Sequence, residues 1–258
     1  MTVPIFPASI LAALWIAEGI WPAVEGRRRR FAHLGSNLVL AALNGLLGVV
    51  VLTPLIVLAV QSAEGFGLLA RIGAPGWLEW GIAIAAFDLW QYFWHRLNHR
   101  APFLWRFHLV HHADGEMDAS TAVRFHPGEI ALSTAARLAV VPLLGMSLEQ
   151  LLVYELALLP IILFHHGNLR MGARLDEALG WFIVTPGIHR IHHSPFRPET
   201  DSNYASLFSL WDRLFRTYRT RDYVNGARFG LEGMGEDETR RPATLLLLPF
   251  RPRATNPD

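Results

Sequence analysis

The chain has 258 residues, of which 52% are hydrophobic and only 17% charged, and its formal net charge is +1. That composition suits a membrane protein better than a soluble domain of this size, and no acidic or basic tail points to a nucleic-acid partner. Cysteine is absent, which excludes thiolate iron–sulfur clusters, thiolate-ligated haem and disulfide stapling.

Residues from about Pro4 to Val24 read as an apolar anchor that ends at Glu25-Gly26-Arg27-Arg28-Arg29-Arg30. A signal peptide carries its positive charge ahead of the apolar run, so this segment is expected to stay as an anchor. The four arginines are expected on the cytoplasmic side, with the N-terminus outside. A second span is predicted from about Leu34 to Val60. After a short loop around Glu64 and Arg71, a third is predicted from about Pro75 to Trp94; both reach the roughly 20 residues that a bilayer core demands. Two further apolar runs, Ile130 to Met146 and Leu148 to Phe164, lie near the lower limit of about 17 residues for a spanning helix. Arg137, Glu149 and Glu155 interrupt them, so hydropathy leaves one crossing or two open. Beyond Phe164 the chain is polar and arginine-rich, apart from Leu245 to Phe250, and is expected to form a cytoplasmic cap.

Eight of the twelve histidines fall into three boxes: His95-Arg-Leu-Asn-His99, His108-Leu-Val-His111-His112 and His189-Arg-Ile-His192-His193. In a helix, positions i, i+3 and i+4 share a face, so each box offers two or three imidazoles in one direction. A lone pair of that kind is commonly a solvated one. Three boxes in one chain point to metal ligation, because clustered histidine serves little packing purpose and imidazole is a favoured ligand. Eight imidazoles exceed what one ion takes, so at least two metals are implied. If the third box is to meet the first two, the chain must cross an even number of times between them, which predicts a hairpin or re-entrant pair over 130–164. Trp90, Phe93, Trp94, Phe103, Trp105 and Phe107 surround the first boxes and read chiefly as an interfacial aromatic belt. His33 reads as a membrane-surface histidine.

These boxes, with Asp88 and Tyr92 ahead of the first, the run Arg124-Phe125-His126-Pro127-Gly128-Glu129, Phe164-His165-His166-Gly167-Asn168, Thr185 to Ser194, Glu199 to Tyr204 and Trp211 to Phe215, resemble the fatty acid hydroxylase and sterol desaturase superfamily. The resemblance runs from about Asp88 to Tyr218. It implies an integral membrane enzyme with two non-haem iron ions that uses O2 and two electrons to hydroxylate or desaturate a lipid such as a fatty acyl chain, a sterol or a carotenoid. It also implies ligands at His95, His99, His108, His111, His112, His189, His192 and His193, and adds His126 and His166; His165 falls where members vary. Iron suits such chemistry where zinc, which has no redox chemistry, does not.

Metal-bound imidazoles normally donate their other N–H to a carboxylate or carbonyl. Asp88, seven residues before His95 and on the same helical face, is the expected partner of that kind, with Asp201 and Asp212 as further candidates. The chain has no dinucleotide fingerprint, flavin signature or cysteine cluster, so neither haem, flavin nor nicotinamide is expected. Electrons should come from a separate ferredoxin, cytochrome or reductase. The expected fold is all-α and polytopic, with about four to five transmembrane or re-entrant helices and a cytoplasmic histidine-rich cap. It divides into N-terminal transmembrane helices (1–87), a catalytic region (88–218) and a C-terminal tail (219–258). A metal-dependent membrane hydrolase would need only three or four of the ligands, and a metal transporter would place them near mid-membrane instead of at span ends.

Overall fold

Long runs rich in leucine, alanine and isoleucine favour helix, and the helices persist even through the internal prolines Pro142 and Pro160. The computed structural model describes residues 5–27, 29–63, 65–220, 228–231 and 233–251; Pro4, Arg28, Glu64 and parts of the expected C-terminal tail lie outside them. Helix α1 (Ile5–Ile20) is followed by α2 (Arg30–Leu47), which passes through a π-helical turn (Gly48–Leu52) into α3 (Thr53–Ser62). After α4 (Leu68–Ile72) come α5 (Gly76–Arg100) and α6 (Pro102–His112), a 3-10 turn (Ala119–Val123), and the long pair α7 (Pro127–Leu144) and α8 (Leu148–His166). Short helices complete the chain: α9 (Ala173–Leu179), α10 (Pro186–His192), α11 (Arg197–Thr200), α12 (Leu210–Leu214), α13 (Glu236–Thr239) and α14 (Pro242–Leu247). Among the described residues there is no strand, only the isolated bridges Pro22–Leu169 and Ile183–Phe208.

Among the described residues, three helices are long and apolar enough to cross a membrane: Arg30–Ser62, Pro127–Leu144 and Leu148–His166. Two of the expected spans are absent from this set, for different reasons. Helix α1 has 16 residues, short of the roughly 20 that a bilayer core requires. Its Glu18 is buried at the C-terminal end, where it accepts from the amides of Ala119 (3.1 Å) and Asn168 (2.8 Å). Helix α5 has 25 residues and runs through both histidines of the first box, but Glu79, Asp88 and Gln91 dilute its apolar character.

The two runs between Glu129 and Phe164 form a helical hairpin, with both helices of spanning length. Ser147 caps α8, its hydroxyl accepting from the Gln150 amide at 3.1 Å while Gln150 returns a bond to the Ser147 amide at 3.0 Å, a capping box. Arg137 and Glu155, which interrupt the apolar runs, face each other across the hairpin at 2.6 Å, and the guanidinium also lies over the rings of Phe87 and Trp90. Pairing is how a bilayer tolerates such groups. Glycine is required at the hairpin turn: Gly145 sits at φ +79° and a Cβ there would come within 2.7 Å of the Phe66 carbonyl, while one on Gly67 would lie 2.5 Å from the Gly145 nitrogen.

Packing follows from these elements. A core of Phe87, Val141, Tyr154, Leu158 and Leu207 joins α5 to the hairpin, and a second of Leu40, Trp105, Leu109, Val110, Leu245 and Leu248 ties α2 to α6 and α14. The hairpin thereby returns the chain to the end of the bundle at which α5 and α6 leave it, and α10 packs against α8 there.

Candidate metal centre

Four helix ends converge. Helix α5 presents His95 and His99 one turn apart, α6 presents His108, His111 and His112, α8 ends on His165 and His166, and α10 carries His189 and His192 with His193 at its C-terminal cap. Helix α10 starts on Pro186, with the Thr185 hydroxyl accepting from the Ile188 amide at 3.4 Å, which fixes where its histidines project.

The imidazoles gather into two groups, one of His95, His99, His108, His112 and His192, the other of His111, His166, His189 and His193, with ligand atoms in each group within 4.8 Å of one another. The groups adjoin, the His112 and His193 rings being stacked 4.5 Å apart. Within them, Nε2 atoms approach at 3.1 Å between His95 and His192, 3.1 Å between His99 and His108, 3.1 Å between His111 and His166, and 3.0 Å between His166 and His189. Two nitrogens each about 2.1 Å from one ion, with about 90° to 100° between them, would lie about 3.0 to 3.2 Å apart.

The outward nitrogens make the case for a cation. His95 Nδ1 faces the Tyr204 carbonyl at 2.7 Å, His192 Nδ1 the Ser202 carbonyl at 2.7 Å, and His166 Nδ1 the Ile162 carbonyl at 2.8 Å. A carbonyl oxygen only accepts, so each Nδ1 carries its ring's proton and each Nε2 turns a bare lone pair inward. Two lone pairs at 3.1 Å, as between His95 and His192, repel unless a positive ion lies between them. Protonating a ring would relieve this, but burial opposes it: the His192 imidazole is pushed down to about 3, and His111, His112, His189 and His193 are held well below the ordinary histidine value by burial and then by their neighbours' charge. The donor set therefore fits a pair of metal ions held by nitrogen.

Nine of the ten expected histidines are brought together. His126 is the exception: its Nδ1 accepts from the Gly128 amide at 2.9 Å as the N-terminal cap of α7, and its Nε2 meets the Leu246 carbonyl at 3.2 Å. Both ring nitrogens are thus engaged outside the two groups. His165 lies beside them, its ring 4.0 Å from that of His189, without joining either.

Of the three candidate carboxylates, Asp201 lies beside an imidazole of the two groups, and Asp88 does not. Asp88 accepts from the Tyr154 hydroxyl at 2.7 Å, the Trp211 indole at 2.7 Å and the Phe208 amide at 3.1 Å. It shares a face with His95, but two turns of helix separate them by about 10 Å along the axis, and it serves packing between α5, α8 and α12. Asp201 stands 3.8 Å from His99 Nδ1 and pairs with Arg197 at 3.3 Å. Asp212 accepts from the amides of Tyr204 (2.8 Å) and Ala205 (3.0 Å) and from Thr217 (2.8 Å). It positions the Tyr204 peptide, whose carbonyl anchors His95.

Glu129 fills the role expected of Asp88, with Oε1 2.7 Å from His108 Nδ1. Its sequence signal was its place three residues after His126. His33, expected at a membrane surface, has its side chain enclosed by protein. It is buried between Asp114 (2.8 Å) and Asp118 (3.0 Å), and Asn37 beside it bonds Ser120 at 2.8 Å and Arg124 at 3.0 Å. The signal was the polar stripe His33, Ser36 and Asn37 on an otherwise apolar helix. Aromatic walls close the site, Trp105 against His99 and His112 and Phe125 stacked on His111 at 4.5 Å.

Known proteins share this stretch of chain. An ornithine lipid hydroxylase of Rhizobium tropici is 32% identical over 153 residues, 59% of this chain and 45% of the relative. The human alkylglycerol monooxygenase is 26% identical over 148 residues, 55% of this chain and 31% of the relative. A cholesterol 25-hydroxylase-like protein of Danio rerio is 34% identical over 152 residues, 56% of this chain and 58% of the relative. The shared region is thus less than two thirds of each relative's length. No solved structure matches. The family described as "Fatty acid hydroxylase" matches residues 80–217, a stretch longer than half the chain that contains every histidine of both groups, and the chain accordingly belongs to the fatty acid hydroxylase family.

Proposed function

We propose that this protein is a membrane-bound, non-haem di-iron oxygenase that hydroxylates a C–H bond of a membrane lipid. The observation that carries this reading is the pair of adjoining, buried all-histidine groups, five imidazoles in one and four in the other. A single hydrolytic zinc takes three protein ligands, and nine exceed that need. The relatives supply the lipid: their names specify an ornithine lipid, alkylglycerols and cholesterol, all amphiphiles that reside in or at a bilayer.

Iron bound there would supply activation of O2 and the oxidising strength to break an aliphatic C–H bond. The residues of the chain do the rest. His95, His166 and His192 hold their protons on Nδ1 against backbone carbonyls, which fixes each ring's tautomer and aim. Glu129 does the same for His108, fixing its ring's orientation. Trp105 and Phe125 shield the imidazoles from water, which protects a strong oxidant from side reactions. Two electrons per turnover come from a separate donor protein, and the site faces the cytoplasmic side, a reading supported by the arginines before α2.

The test is metal analysis joined to product analysis. Purified protein should hold two iron ions per chain and, with a reductant and 18O2, place labelled oxygen in a hydroxylated lipid. One zinc per chain, with no oxygen uptake after reconstitution with iron, would remove the proposal.

A further inference from the structure

The region beyond α8 is polar by composition, yet large apolar side chains stand at its surface on one side. Trp181 and Phe182, between α9 and α10, are 60% and 73% exposed, and Leu210 and Leu214 on α12 are 53% and 60% exposed. The backbone holds them in one ledge. Ile183 bridges Phe208, the Ser209 amide donates to the Phe182 carbonyl at 3.3 Å, and the Ser209 hydroxyl donates to the Gly180 carbonyl at 2.7 Å. Leu210 and Leu214, four residues apart, share one face of α12.

The ledge joins the membrane helices. Phe215 stacks on Tyr92 at 5.2 Å and meets Phe93 edge-on at 4.9 Å, and on α5 Phe93 and Leu97 are themselves outward-facing, one turn apart. Helix α5 packs on both α7 and α8, two of the three spanning helices. Apolar side chains thus extend from α5, which packs against two of the spans, through Phe93 and Phe215 to the ledge. At its rim the Arg213 guanidinium lies 4.6 Å above the Trp181 ring and 3.8 Å above Tyr218, with Arg216 and Arg219 exposed nearby. Tryptophan and arginine side by side at the edge of an apolar surface is the composition of a headgroup layer, where the indole is half-wet and the guanidinium meets phosphate.

We propose that this ledge is embedded in the membrane interface, in the leaflet on the histidine side, so that the region after α8 lies partly in lipid and is not a cap standing in water. Continuity with the spans selects lipid as the occupant, since a protein covering only the ledge would leave the adjoining face of α5 divided between two environments. Binding of this kind scales with buried apolar area plus attraction of the basic rim to anionic headgroups.

The absence of cysteine makes Phe182→Cys and Leu214→Cys unique labelling sites, and both side chains are exposed, so neither substitution empties a core. Each full-length variant, labelled with a nitrobenzoxadiazole dye in phosphatidylcholine–phosphatidylglycerol vesicles, is challenged with lipids brominated near the top of the acyl chain and, separately, with aqueous iodide. The expected result is loss of emission with brominated lipid and protection from iodide at both positions, with metal content equal to that of the parent. Quenching by iodide without response to brominated lipid puts the ledge in water and overturns the proposal. Protection from both quenchers shows that protein covers it, and overturns the proposal equally. The oxygenase reading is untouched by either outcome, because no residue of the metal groups is altered.

Discussion

At the scale of single residues, Glu129 and His126 carry opposite expectations although they lie three positions apart. Glu129 Oε1 is 2.7 Å from His108 Nδ1; Glu129→Gln keeps the shape but removes the charged partner that orients the imidazole. A loss on the order of 10-fold to 100-fold in metal affinity or turnover is expected, the usual range for such partners, and metal titration of the variant measures it. An unchanged affinity would mean the carboxylate is only a neighbour. His126 caps α7, and asparagine is among the best residues for that position. His126→Asn should therefore keep both metals, whereas a loss of iron with the fold intact would restore His126 to the ligand set. Eight of the nine convergent histidines were legible in the sequence because helical spacing alone puts each box on one face, while His166, outside the boxes, was implied only by the family resemblance. The partners of their outer nitrogens were not, since carbonyls of Ser202 and Tyr204 leave no mark in a sequence. Asp88 misled for a related reason: a shared helical face says nothing of reach along the axis.

At the scale of elements, the α7–α8 hairpin decides whether His166 can meet His111. Its turn depends on Gly145, at φ +79° with the Phe66 carbonyl 2.7 Å from where a Cβ would stand. Gly145→Ala should cost at least about 1 to 2 kcal/mol, the penalty of a left-handed alanine, before the clash is counted. Thermal unfolding of the detergent-solubilised variant reads the loss directly, and an unchanged midpoint would show that the loop at Phe66 yields freely. The hairpin over 130–164 was legible, because the third box had to return to the first two. The number of spans was less so. Hydropathy sees α1 and α5 as apolar runs, but not that Glu18 and Asp88 are turned into the protein, bonded to the amides of Ala119 and Phe208 among others.

At the scale of the whole molecule, so many imidazoles held neutral make the metal-free protein acid-sensitive. The sign follows from linkage: an unfolded histidine titrates near 6.5, whereas His192 is pushed down to about 3 by burial in the fold. Between those values the unfolded chain binds the proton and the folded one does not, so stability is full above about pH 6.5 and falls as the pH drops toward 3. One such group contributes about 1.4 kcal/mol per pH unit in that window, and His111, His112, His189 and His193 are displaced in the same direction. Asp114 acts later. Burial would raise it, but the His33 and Arg124 charges outweigh that and hold it well below the usual carboxylate range, so its stabilising contribution is lost only below about pH 3.8. Chelator-treated protein should consequently show a melting midpoint that falls steeply from pH 7 to pH 5, and the metal-loaded protein a much flatter one, since bound metal competes with protons for the same nitrogens. A metal-free midpoint that stays level across that interval would mean the imidazoles are open to water, and with that the buried two-metal site would fail.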